Sequence, residues 1–160
     1  MIKKLVTLVI TIIVLFSIAS LTACGNEEDY NGTEVIVDNF SITITVDKTE
    51  LIVGEQILVS VTVKNVSDKP IKIISGNCPI NIWVFKKGEK PKFAWDLMRV
   101  DKELGANETL ENTFEWKATR KGGYFAFASV LFSTVENWDD APADWNGVSI
   151  ESKKIKIEVK

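Results

Sequence analysis

The densest group of side chains that could carry chemistry lies near the C-terminus, in the segment 133–149. Its acidic cluster is Asp139, Asp140 and Asp144, with Glu136 and Asn146 nearby. A pair of carboxylates could act as general acid and base, and several such oxygens could hold Ca²⁺. The spacing does not match an EF-hand loop. Three interpretations stay open: a solvated acidic loop, a weak calcium site at Asp139, Asp140, Asp144 and Asn146, or a carboxylate-dependent hydrolase.

The same segment contains two tryptophans, Trp138 and Trp145, with Pro142 between them. Exposed aromatic side chains are favoured in protein contacts. We therefore predict a candidate binding loop made of Trp138, Asp139, Asp140, Asp144 and Trp145. The alternative is that one or both rings fold back and cap the open end of the domain.

Three other tryptophans lie outside this segment. Trp83 and Trp116 stand within apolar, β-rich runs and are predicted to lie in the core. Trp95 is compatible with either the core or its rim.

The chain contains no histidine and two cysteines, Cys24 and Cys78. This composition excludes Ser-His-Asp and Cys-His nucleophilic systems, zinc sites with histidine or several thiolates, and a disulfide framework. Cys78 precedes Pro79, has no nearby cation to activate its thiol, and is predicted to be buried and inert. We expect a protein that is not an enzyme, with no catalytic residues, no metal and no cofactor other than covalent lipid.

The N-terminal segment 1–23 has the layout of a secretory signal. Lys3 and Lys4 precede an uncharged, apolar stretch from Leu5 to Ala23. The quartet that follows, LTAC, ends at Cys24 and resembles the lipobox of bacterial lipoproteins. The resemblance implies a diacylglyceryl thioether on Cys24, room for a further N-acyl lipid, cleavage before this cysteine, and anchoring at the extracytoplasmic face of the cell membrane. The alternative is an uncleaved N-terminal anchor.

The charge of the remaining chain limits its partners. Removal of residues 1–23 takes away two of the 19 basic residues and none of the 22 acidic ones, which leaves a net charge of −5. No basic tract suits nucleic acid. The expected partners are the membrane, through the lipid anchor, and an envelope or extracellular protein.

Hydrophobic residues beyond the polar segment 25–34 alternate with polar ones, which is typical of half-buried strands. The clearest runs are 40–46, 57–63 and 155–159, and turn signals separate nearly every pair of strands. The pattern predicts an all-β, immunoglobulin-like β-sandwich of about seven to eight antiparallel strands. A small β-barrel is the alternative. The predicted organisation is a signal peptide at 1–23, a lipidated and flexible acidic tether at 24–38, and the sandwich domain at 39–160.

Two longer stretches carry a family resemblance. They are VTVKNVSDKPIKIISGNCPINIWVFKKG (61–88) and LGANETLENTFEWKATRKGGYFAFASVLF (104–132). Together they resemble the BsuPI-type domain, which is named for an intracellular proteinase inhibitor. The resemblance implies an immunoglobulin-like sandwich over roughly 40–159. It also implies proteinase inhibition through an exposed loop, for which 133–149 and 86–96 are the candidates.

Overall fold

The computed structural model describes residues 32–91, 98–140 and 147–160. Their regular structure is β, apart from one 3₁₀ turn at Trp138–Asp140. The strands are β1 Gly32–Val37, β2 Phe40–Val46, β3 Glu50–Leu51, β4 Gln56–Asn65, β5 Ile71–Lys86, β6 Val100–Leu104, β7 Thr109–Lys117, β8 Gly122–Val135, β9 Val148–Glu151 and β10 Ile155–Val159. Among these residues, none belongs to a helix with the length and apolar character needed to cross a membrane.

The strands form two separate sheets. The four-stranded sheet has the order β1-β2-β4-β7, and the larger sheet has the order β3-β10-β8-β5-β6, with β9 paired to β8. All pairs are antiparallel except β3 with β10, which run parallel. The predicted all-β sandwich is confirmed, and the sheets do not close into a barrel.

The core lies between the two sheets and is built by the alternation seen in the sequence. In the smaller sheet, the buried apolar side chains are every second residue of β2 and β4, from Phe40 to Val46 and from Ile57 to Val63. Phe40 meets Phe132 of the opposite sheet, with ring centroids 4.6 Å apart in an edge arrangement. Because strand side chains alternate between faces, this register leaves the Ser, Thr and Lys residues of β2 and β4, together with Leu58, on the outer face of the smaller sheet.

The smaller sheet begins earlier in the chain than the predicted domain. β1 pairs with β2, so that Val35 lies opposite Ile42 and Val37 opposite Phe40. Val35 and Val37 are partly buried against the core. The segment Gly32–Val37, which the sequence places in the tether, is therefore a strand of the sandwich.

A tyrosine corner links β7 to β8. The Tyr124 hydroxyl donates to the main-chain oxygen of Arg120 at 2.9 Å, and the Tyr124 ring lies 4.8 Å from that of Trp116. A tyrosine near the start of this strand, bonded back to the preceding corner, is a hallmark of immunoglobulin-like sandwiches. Trp116 packs against the core, as predicted.

The sandwich has two ends with different loops. We call the end formed by the turns 51–55, 86–91 and 118–121 the entry end. The opposite end, formed by the turns 66–70 and 105–108 and by Trp138–Asp140, is the far end. β1 starts at Gly32 beside Thr45 and runs to Val37 beside Phe40, away from the entry end. The chain therefore comes into the domain from the side of the entry end.

Candidate functional site

The predicted binding loop connects β8 to β9 at the far end. It is shorter than the predicted segment, because β8 continues to Val135 and β9 begins at Val148. Asp144, Trp145 and Asn146 lie outside the described residues, as does Trp95. The loop returns to the sheet at Gly147, where an added Cβ atom would stand 2.7 Å from the main-chain oxygen of Phe132. Only glycine allows this close approach.

Lys72, at the start of β5, holds the described part of the loop. Its Nζ atom lies 5.7 Å from the centroid of the half-buried Trp138 ring and donates to the main-chain oxygen of Glu136 at 3.0 Å. A cation over the face of an indole is attracted by the ring quadrupole. The ring and the main chain on its N-terminal side are thus tied to the same strand.

Arg99 is the second residue that holds the loop. Its Nη2 atom donates to the main-chain oxygen of Trp138 at 3.0 Å, while its Nε atom donates to Asp101 at 2.6 Å. The hydrogen bond to Asp101 raises the pKa of Arg99, and the charge of Asp139 acts in the same direction. Because the ion pair of Arg99 with Asp101 is exposed, it adds little to the stability of the domain. Its role is to hold the Arg99 side chain in place.

The carboxylates of the loop are exposed where they are described. Asp139 lies on the surface next to Trp138. In the described ranges, no three His, Cys, Asp or Glu side chains are grouped so that they could hold a metal ion. The predicted calcium site also uses Asp144 and Asn146, which lie outside those ranges, and it stays a prediction. The described geometry is that of an anchored tryptophan beside a charged rim.

A second cluster of aromatic residues lies on the outer face of the larger sheet. Trp83 stacks on Phe127 with centroids 5.9 Å apart, and Phe85 lies 6.1 Å from Phe125. Lys154 stands over Phe85 at 5.7 Å. Trp83 alternates with the inward-facing side chains of β5, so the prediction that it lies in the core is wrong.

This cluster borders a groove of about 470 Å³ at the entry end. Its apolar walls include Trp83, Phe85 and Tyr124, and its charged rim includes Lys86 and Arg120. We did not predict this groove from the sequence. The signal that could have found it is that 82–85 and 124–127 are apolar at every position, which indicates strands covered on both faces.

The prediction that Cys78 is buried is also wrong. The pairing of β5 with β8 shifts between Ser75 and Ile80, and Cys78 lies exposed in this irregular stretch. Its Sγ atom lies 3.5 Å from the main-chain oxygen of Ile80 and 3.6 Å from Nδ2 of Asn112. The break in pairing turns the cysteine outward, which the local sequence does not reveal.

Comparison with known proteins gives similarity in structure only. No family model and no curated protein matches the chain, so the resemblances to bacterial lipoproteins and to BsuPI-type domains stay predictions. The chain is similar to the CARDB domain of a Pyrococcus furiosus protein in complex with di-metal ions, with 16% identity and a TM-score of 0.42 over 79% of this chain and 93% of that one. It is also similar to part of a Listeria innocua beta-glucosidase, with 19% identity and a TM-score of 0.40 over 75% of this chain and 16% of that one. For the PapD-like domain of human CEP192 the identity is 10% and the TM-score 0.37, over 73% of this chain and 84% of that one.

Proposed function

We propose that the protein is a membrane-tethered, non-catalytic binding domain whose far end contacts an envelope or extracellular protein. The observation that carries the proposal is the position of Trp138. Lys72 lies over this ring, and the Arg99 side chain donates a hydrogen bond to the main-chain oxygen of the same residue. Both contacts lie at the far end, opposite the entry end where β1 begins. A domain tethered through its N-terminus would present this ring away from the membrane.

The tether is the lipid on Cys24 that the lipobox resemblance implies. Two acyl chains hold a protein at a bilayer firmly, whereas one holds it weakly. In cells, the Cys24→Ala variant should keep its signal peptide or leave the membrane fraction. Normal processing and membrane retention of that variant would contradict the lipidation.

The far end has the chemistry of a protein-binding hot spot. Trp138 is a large, partly exposed aromatic whose orientation is already fixed, so that little rotamer entropy is lost when a partner covers it. The exposed carboxylate of Asp139 stands beside it and can pair with a partner at the rim of the contact.

The direct test is capture of a partner from envelope extract by residues 25–160, followed by measurement of its Kd. Trp138→Ala should weaken the complex by about thirtyfold, as expected for a hot-spot residue. The control is Ile36→Ala, which truncates an exposed apolar side chain on β1. Equal affinity of wild type and Trp138→Ala would contradict the assignment of the far end.

Proteinase inhibition of the BsuPI type is the second candidate, and one observation favours it. An inhibitor must present its main chain in a fixed conformation, and Lys72 and Arg99 both bond main-chain oxygens of the segment 136–138. Inhibition predicts a stoichiometric, saturable loss of activity of an extracellular proteinase, which Arg99→Ala should weaken. A substrate turnover that Asp140→Asn abolishes would instead establish a carboxylate-dependent hydrolase.

A further inference from the structure

The entry end carries a basic surface, which we define as Lys86, Lys87, Lys90, Lys117, Arg120 and Lys121. All six side chains are exposed, and none forms an ion pair with another residue that the structure describes. The acidic residues Glu50 and Glu55 at this end are already paired, with Lys160 and Lys48. Glu158, beside Gly123, is paired with Lys156. Among the described residues of this end, the acidic side chains without an ion pair are Asp47, Glu89 and Glu115, which are fewer than the six cations. This end is therefore positive in a chain whose net charge is negative.

Main-chain bonds hold the parts of the basic surface together. The amide of Lys87 donates to the oxygen of Gly123 at 2.9 Å, which joins the turn after β5 to the start of β8. The tyrosine corner fixes Arg120 through the Tyr124 hydroxyl. Lys86 and Arg120 stand on the rim of the same groove. The positive charge is thus concentrated on one face by the fold rather than by a run in the sequence.

An apolar turn projects beside this surface. Ile52 and Val53 are 61% and 45% exposed, the highest exposure of adjacent aliphatic residues in the described chain. The turn is closed by the amide of Glu55, which donates to the Ile52 oxygen at 3.1 Å, and by Gly54 at a φ of 100°. The Gly54 amide donates to the Ala118 oxygen at 2.8 Å, which places the turn next to Lys117.

The Glu55 side chain makes this turn rigid. Its carboxylate accepts a hydrogen bond from the Ile52 amide at 2.8 Å, and this bond is the main reason that the pKa of Glu55 is lowered. Exposed aliphatic side chains on a fixed turn, flanked by cations, are the elements with which a peripheral protein enters the headgroup region of a bilayer.

The position of the covalent tether agrees with such a contact. The eight residues from Cys24 to Asn31, fully extended, reach at most about 28 Å. Gly32, where β1 begins, lies beside Thr45. The tether is therefore attached to the domain on the side of the entry end. A lipid on Cys24 would therefore keep the basic surface within reach of the headgroups.

We propose that the entry end docks on anionic phospholipid, with the basic surface against the headgroup phosphates and with Ile52 and Val53 in the interfacial layer. The docking orients the domain so that Trp138 points away from the membrane. The inference rests on the proposed tethering, and it deepens that function by assigning the membrane-facing surface.

The test uses residues 25–160, which lack the lipid but contain the whole core of the sandwich. Co-sedimentation is measured with vesicles of phosphatidylcholine alone and of phosphatidylcholine and phosphatidylglycerol in equal parts. We expect salt-sensitive binding to the anionic vesicles only. The combined change of Lys117, Arg120 and Lys121 to Gln should weaken it roughly a hundredfold, since each cation near an anionic surface contributes severalfold.

Two matched controls separate this surface from net charge and general hydrophobicity. The first control is a triple variant in which Lys64, Lys69 and Lys153 are changed to Gln. It removes the same amount of charge from other parts of the surface and should leave binding to the anionic vesicles unchanged. Ile52→Ser should weaken binding, whereas Ile36→Ser, at a residue that is 62% exposed on β1, should not. Equal sedimentation with both kinds of vesicle, or equal losses in the two triple variants, would overturn the proposal. Either result would leave the lipidation of Cys24, tested by its processing in cells, untouched.

Discussion

Among the residues at the far end, Asn65 is the one whose replacement should lower the free energy of unfolding most. Its side chain is fully buried at the end of β4. Nδ2 donates to the main-chain oxygens of Lys69, Leu104 and Gly105 at 2.8, 3.0 and 3.1 Å, and Oδ1 accepts from the amide and hydroxyl of Ser67 at 3.0 and 2.7 Å. One amide group therefore joins two turns that are distant in sequence.

The magnitude follows from these bonds. The two N–H groups and the oxygen together supply about four hydrogen bonds, each with a net contribution of about 1 kcal/mol. Asn65→Ala should therefore lower the free energy of unfolding by about 4 kcal/mol, because it also leaves buried carbonyl groups without a donor. This is a large part of the total stability of about 5–15 kcal/mol that is usual for a domain.

Urea denaturation of residues 25–160, followed by tryptophan fluorescence, measures the change. Asn65→Asp keeps the acceptor for Ser67 but sets a carboxylate oxygen against three carbonyl oxygens, so it should be at least as destabilising as Asn65→Ala. Ser67→Ala removes one hydroxyl and should cost about 1 kcal/mol. A loss below about 1 kcal/mol for Asn65→Ala would refute the reasoning, since it would mean that the two turns are held by other contacts.

Three further changes test other parts of the structure. Gly147→Ala should destabilise the domain by about 1–3 kcal/mol, because its Cβ atom would collide with the main-chain oxygen of Phe132; thermal unfolding measures this. Tyr124→Phe removes the corner hydrogen bond and should cost about 1 kcal/mol in urea denaturation, with the fold retained. The Glu108 carboxylate accepts from the Gly105 amide at 2.8 Å, and this bond lowers the pKa of Glu108 below its ordinary value of 4.5. The contribution of this bond to the free energy of unfolding is therefore complete above the unfolded-state pKa and is lost as the pH falls through the lowered pKa. Glu108→Gln should lose less stability on acidification than wild type. Equal acid sensitivity of the two proteins would contradict the assignment.

The alternation of apolar residues predicted the sandwich because it reports directly which side of a strand is buried. Phe40, Ile42 and Ile44 are buried as the period of two requires, and so are the alternate apolar residues of β4, from Ile57 to Val63, and those of β10; Leu58, which falls on the other face of β4, is exposed. The limits of the domain were harder to predict. Gly32–Val37 is short and stands beside acidic residues, and its place in a sheet depends on pairing with β2, which local composition does not express.

The candidate site was predictable only in part. The segment with Trp138 and Asp139 was identified from its composition, but its anchoring depends on Lys72 and Arg99, which lie far away in sequence and approach it only through the sheet. The prediction that Trp83 lies in the core was wrong for a related reason. Where a strand is apolar at every position, the period of two is absent, and only the register with β8 decides which face meets the core.

The two ends of the sandwich differ in a way that agrees with a tethered domain. The entry end combines unpaired cations with the exposed side chains of Ile52 and Val53. At the far end, Arg99 is paired with Asp101, and Lys72 is bound to Trp138 and Glu136, which leaves Lys69 as the exposed cation without an ion pair in the described turns 66–70 and 105–108. Cations that are already bonded are less available to headgroup phosphates than cations that are free in solvent. The same reasoning predicts that a lipid-anchored domain would settle with its entry end on an anionic bilayer, and that the orientation would be lost at high salt, because screening weakens exposed charges most.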